Sequence, residues 1–104
     1  MFATVRRYEG IDASKRAELT KKFGETLAPR LSKLPGFSSY FLIDTGEGVM
    51  SSIGLFDTSA HANESTRVAS EWVRDEKLES ILVNPPKVTD GEVIVHKTSG
   101  AVRA

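Results

Sequence analysis

Two apolar segments, residues 37–44 and 49–57, flank the tetrapeptide Thr45-Gly46-Glu47-Gly48, and this pairing constrains the fold more than any other feature. Both are rich in Phe, Tyr, Ile, Val and Leu, and the turn residues between them close an antiparallel hairpin. Gly46 and Gly48 form a G-x-G, but no third glycine and no helical pattern follow, so the segment reads as a turn rather than a phosphate loop. In the first strand Phe37, Phe41 and Ile43 are expected on one face, with Tyr40 and Leu42 on the other. In the second, Val49, Ile53 and Leu55 oppose Met50 and Phe56. A hairpin apolar on both faces needs cover on both. One face takes the chain's own helices; the other calls for a partner, most simply a second copy. The expectation is a homodimer through the helix-free face.

Helical patterns lie on either side of this hairpin. Leu19, Phe23, Leu27, Leu31 and Leu34 recur at spacings of four and three, one apolar face of a helix. Asp12 or Ser14 offers its N-cap, and Pro35-Gly36 stops it. Pro29 removes a backbone donor inside this helix and should bend it. Asp57, Thr58 or Ser59 can cap a second helix running to about Asp75, or continuing, bent, to Val83, with the stripe Ser65, Val68, Ala69, Trp72 and Val73. Asn84-Pro85-Pro86 closes the helical region. A first strand is read at Thr4–Tyr8, with Phe2, although Arg6-Arg7 interrupts its apolar alternation. A last strand is read at Glu92–Thr98, centred on Val93-Ile94-Val95. The element order is β-α-β-β-α-β, an α+β, ferredoxin-like plan with a four-stranded antiparallel sheet. Right-handed crossovers place both helices on one sheet face. Residues 1–98 are expected to form a single domain, and 99–104 a flexible tail.

Composition narrows the function classes. The 104 residues carry 14 basic and 14 acidic side chains, so there is no charge signature of nucleic-acid binding. With 0 Cys, disulfides, thiolate nucleophiles and cysteine metal sites are excluded. Two His separated by 35 positions do not make a dense metal-ligand pattern, and no metal is expected. The longest apolar run, Tyr40-Phe41-Leu42-Ile43, is far short of a membrane span, and Arg6-Arg7 arrives before any apolar signal-peptide core. A soluble, cytoplasmic protein without nucleic-acid or membrane partners is expected.

With this element order, Leu34-Pro35-Gly36-Phe37 before the second strand and Leu55-Phe56-Asp57 at the step into the second helix resemble the antibiotic-biosynthesis-monooxygenase-like families. Trp72 also stands where many such proteins carry an aromatic residue. The resemblance covers nearly the whole chain and implies a dimeric α+β barrel, with a small pocket in each subunit between sheet and helices. It also implies a range of activities, including cofactor-free oxygenation of polycyclic phenols and quinols, haem degradation and isomerisation. The haem-degrading branch resembles an Asn on the first strand with Trp and His on the second helix. This chain has no Asn in residues 1–10, and no His between Trp72 and His96, so neither haem nor another cofactor is expected.

Cofactor-free oxygenation requires an apolar pocket, a base for the phenol or enol, and donors for the resulting anion. The polar candidates are His61, Tyr40, His96 and Asn63, joined by Trp72. Positions 7 and 11 apart return to within about 20° on a helix, so His61, Val68 and Trp72 share a face, with Ser65 between them. This stripe is expected to face the sheet and line the pocket, with His61 near its mouth, Trp72 deeper, and Tyr40 or His96 opposite. Each has a plainer reading: Trp72 as a core anchor, His61 as a first-turn surface residue, His96 and Tyr40 as packing groups. Two functions are open, a cofactor-independent monooxygenase-like protein acting on a small aromatic or quinone-like metabolite, and a non-catalytic dimeric module that binds a small molecule or serves a structural role.

Overall fold

The computed structural model describes residues 1–97; the tail expected at 99–104 lies outside them. Strand β1 spans Phe2–Tyr8, β2 Phe37–Gly46, β3 Val49–Phe56 and β4 Lys87–Glu92. Helix α1 covers residues 13–32 in several conformations, and α2 spans Ser59–Asp75. The strands form one antiparallel sheet in the order β2-β3-β1-β4. This is the ferredoxin-like α+β arrangement expected from the pattern.

Local chemistry fixes the helix limits. The Asp12 carboxylate accepts hydrogen bonds from the Ser14 backbone N–H (2.9 Å) and hydroxyl (2.8 Å), opening a 3-10 turn at Ala13–Lys15. An α-helical stretch Arg16–Lys22 leads into a π turn, Phe23–Leu27, before α geometry resumes at Ala28–Ser32. Pro29 sits at the start of that last stretch. The wide turn relieves the clash its ring would otherwise make with the carbonyl of residue 25, so the break is a local swelling of the helix. Leu19, Phe23, Leu27 and Leu31 remain on one buried face throughout.

The two sheet faces differ as the hairpin pattern requires. Tyr8, Met50 and Leu42 point to the helices and join Phe23, Leu27, Leu31 and Trp72 in the core. Val5, Ile53, Phe41 and Ile43 point away from the helices, with Phe41 53% and Ile43 44% exposed. Phe37 departs from the expected alternation. A register shift between Phe37 and Ser39 sets Phe37 opposite Phe56, where the two rings meet edge-on at 5.8 Å on the helix side.

The last strand also differs from its expected position. β4 is Lys87–Glu92, not the apolar Glu92–Thr98, and pairs from Arg7↔Lys87 to Phe2↔Glu92. Cross-strand pairing decides this. Phe2, the first residue of β1, pairs with Glu92; beyond it the Val93 N–H bonds to the Met1 carbonyl (2.9 Å) and the described chain leaves the sheet. Ile94 and Val95 are left 87% and 82% exposed.

Candidate functional site

The expected stripe on α2 does not converge on one cavity. The Thr58 hydroxyl caps the helix by accepting from the His61 backbone N–H (3.2 Å), and the His61 ring turns back to Asp57, Nδ1 to Oδ1 at 2.6 Å. This pair lies against Gly36, whose φ of +76° and missing Cβ make room for both side chains. His61 thus ties the start of α2 to the turn before β2. Ser65 is fully buried and donates to the Ala62 carbonyl (2.6 Å). Val68 packs against the core from one side. Trp72, with no exposed surface, lies 4.8 Å from the Phe23 ring, and its Nε1–H donates to the Thr26 hydroxyl at 2.6 Å.

Tyr40 and His96 fall elsewhere. The Tyr40 side chain borders an open groove between α1 and β2, formed with Gly24, Ala28 and Pro29. Its hydroxyl is buried beside Ser52 and near Arg6 and Tyr8, with no well-formed hydrogen bond among the described residues. Burial pushes the phenol up to about 12, against the opposing pull of Arg6, so Tyr40 is a protonated donor at neutral pH. His96 is exposed and follows the end of β4. The structure therefore disperses the six candidates over the core, the helix cap, a groove and the chain beyond the sheet.

A different set of residues does converge. Between β1, β4 and α2 lies a cavity of about 430 Å³, walled by Arg6, Tyr8, Thr66, Ser70, Val73 and Val88, among others. The segment Leu82-Val83-Asn84-Pro85-Pro86 forms one side of it, held by an Asn84 Nδ2–H bond to the Glu9 carbonyl (3.1 Å). Its volume suits a small ligand. Arg6 is 1% exposed and has no carboxylate within ion-pair distance among the described residues. Its one hydrogen bond runs from Nη1 to the Thr66 hydroxyl at 3.4 Å, while Nε and Nη2 have no partner. Beside it, burial raises the Tyr8 phenol and the guanidinium partly offsets that rise. Ser52, opposite Arg6 across the β1–β3 pair, buries a further unpartnered hydroxyl. The site offers hydrogen-bond donors in apolar surroundings.

The sequence reading missed Arg6 because Arg6-Arg7 looked like a break in the strand. Parity carried the signal: Arg6 shares a face with Tyr8 and Thr4, and only Arg7 turns outward. On the helix side of the cavity, Ala69 and Val73 belong to the apolar stripe read from the sequence, while Thr66 and Ser70 beside them do not. No group of three or more His, Asp or Glu side chains among the described residues is placed to hold a metal ion. No described helix is long and apolar enough to cross a membrane.

No protein-family model and no curated protein sequence matches this chain. Solved structures do. A monooxygenase from the gene ActVA-Orf6 of Streptomyces coelicolor, in complex with nanaomycin D, aligns over 99% of this chain and 91% of its own, with a TM-score of 0.66 at 18% identity. A mutant of MhuD with two manganese protoporphyrin IX molecules bound per active site aligns over 95% and 100%, with a TM-score of 0.75 at 16% identity. A dimeric ferredoxin-like protein from an uncultured marine organism aligns over 95% and 92%, with a TM-score of 0.70 at 15% identity. Likeness at such identities establishes the fold: this chain shares the ferredoxin-like α+β fold of these proteins and of solved putative antibiotic biosynthesis monooxygenases, as the resemblance in its sequence implied.

Proposed function

We propose that the protein is a cofactor-independent, monooxygenase-like enzyme whose substrate is a small aromatic or quinone-like metabolite, bound in the cavity at Arg6. The observation that carries this reading is a buried guanidinium, two of whose nitrogens lack partners, on a residue that borders a ligand-sized cavity. Donors placed in low-dielectric surroundings stabilise an aromatic oxyanion far better than water-exposed ones do. The reaction converts a polycyclic phenol and O2 into a quinone and water. A ring C–H para to the oxygen becomes C=O, the second oxygen atom leaves as water, and O2 takes the four electrons the ring gives up. Arg6 anchors the substrate and Tyr8 donates to its reacting oxygen, while the apolar wall of Val73, Leu82 and Val88 receives the ring; the phenol proton leaves to water, since no carboxylate or imidazole lines the cavity. Fold likeness to a monooxygenase supports the class of chemistry and says nothing of the substrate. The test is oxygen uptake with hydroxylated naphthalenes, expected to match quinone formation one to one and to fall to the uncatalysed rate in Arg6→Met.

A second reading, a non-catalytic module that binds a small molecule, is favoured by one feature: no carboxylate or imidazole lines the cavity. Ligand binding without oxygen uptake would decide for it. In either case we propose a homodimer through the face bearing Val5, Phe41, Ile43 and Ile53, with the apolar Val93-Ile94-Val95 reaching the second copy.

A further inference from the structure

We propose that the ligand of the Arg6 cavity enters already ionised, as an aromatic carboxylate whose two oxygens pair with Nε–H and Nη2–H of Arg6. This rests on the reading of the cavity as the ligand site, and it names the substrate class. Three observations carry it.

The first is which nitrogens are free. Arg6 spends Nη1 on Thr66, and the two without partners, Nε and Nη2, lie along the same edge of the planar guanidinium. That edge presents two parallel N–H bonds at the spacing of carboxylate oxygens. A phenolate or a carbonyl offers one oxygen and would leave one donor unmet.

The second is charge. Arg6 is buried with no counter-ion among the described residues, while the other arginines in ion pairs, Arg7, Arg16, Arg30 and Arg67, all keep exposed surface. An uncompensated buried cation is costly, and a bound anion removes that cost.

The third is the missing base. Every titratable side chain that lines the cavity, Arg6 and Tyr8, is a donor at neutral pH, and nothing there can take a proton from a neutral ligand. An acid that ionises in solution needs no such group. Neither nitrogen has accessible surface, so the pairing requires the Arg6 guanidinium, which borders the cavity, to turn its Nε/Nη2 edge into it.

Titration of the full-length protein with 1-hydroxy-2-naphthoate and with its methyl ester, followed by calorimetry and by amide NMR, tests this directly. The carboxylate is expected to bind with one site per subunit, shifting the Thr66, Ser70 and Val83 amides, and to bind roughly tenfold or more tighter than the ester. Arg6→Met should abolish that preference, and Arg6→Lys, which keeps the charge without the fork, should retain only part of it. Both variants are checked for cooperative unfolding; if Arg6→Met does not fold, the ester comparison in the wild type still decides. Equal affinity for acid and ester, with the same amides shifted, would overturn the carboxylate inference and leave the cavity as the ligand site. Absence of binding by either compound at millimolar concentration would overturn both.

Discussion

The Trp72 indole N–H meets the Thr26 hydroxyl at 2.6 Å, joining α2 to the π turn of α1. Thr26 in turn donates to the Lys22 carbonyl at 2.7 Å, so one hydroxyl both accepts from the indole and satisfies a helix carbonyl. With Phe23 on its ring face, Trp72 is enclosed on the core side of α2, away from the Arg6 cavity. Trp72→Ala should therefore cost about 3–5 kcal/mol of stability. Thr26→Val, which strands the buried indole N–H, should cost about 1–3 kcal/mol. Denaturant unfolding measures both. Aromatic-ligand affinity per folded molecule should not change; a loss of affinity at unchanged stability would put Trp72 in the ligand site instead.

The exposed face of the sheet predicts the oligomer. Wild-type protein should run as a dimer in light scattering at micromolar concentration, and the pair Phe41→Glu with Ile53→Glu should give a folded monomer. Like charges facing each other across a former apolar contact remove the gain from burial and add repulsion. A wild-type monomer, or a dimer insensitive to these changes, would count against the face.

Asp57 gives acid stability a local cause. The hydrogen bond from His61 is the largest of the influences that hold its carboxyl below the ordinary 3.8. A depressed folded-state pKa stabilises the fold above the unfolded value, and that contribution disappears as pH falls through the folded one. The stability difference between wild type and Asp57→Asn should hold from neutrality to about pH 5, then shrink on further acidification. Thermal unfolding of both proteins across that interval measures it; a difference growing towards low pH would have the wrong sign.

Gly36 should tolerate no side chain. A Cβ there would collide with Asp57 Oδ1 and stand 2.5 Å from His61 Nδ1, on a backbone at φ +76°. Gly36→Ala should lose more than about 1 kcal/mol from backbone strain. Part of that loss should vanish in Gly36→Ala combined with Asp57→Ala, which clears the nearer contact; a double-mutant cycle measures the coupling.

Haem should not bind stoichiometrically. Residue 6, on the β1 face that looks into the cavity, is a buried cation, and the one His of α2 is held at its first turn by Asp57. A titration should leave the Soret band without a saturable one-to-one shift; a saturable shift lost in His61→Ala would reverse this expectation.

The sequence by itself determined the elements that depend on near neighbours. Periodic leucines, the caps at Asp12 and Thr58, and the turn Gly46-Glu47-Gly48 are local, so α1, α2 and the β2–β3 hairpin were legible, and with them the β-α-β-β-α-β order. Tertiary contacts decided the rest. β4 lies at Lys87–Glu92, a stretch exposed throughout, because those residues pair with Phe2–Arg7 of β1, a long-range register invisible in the apolar appeal of Val93-Ile94-Val95. The candidate residues are placed for the same kind of reason. Rotation of α2 about its axis is set by Trp72 finding Thr26 on another helix, and that rotation presents Thr66 and Ser70 to the cavity while directing Trp72 inward. Arg6 reads in sequence as a polar interruption. Only the sheet that buries it, and the absence of any acid beside it among the described residues, makes it a candidate ligand contact.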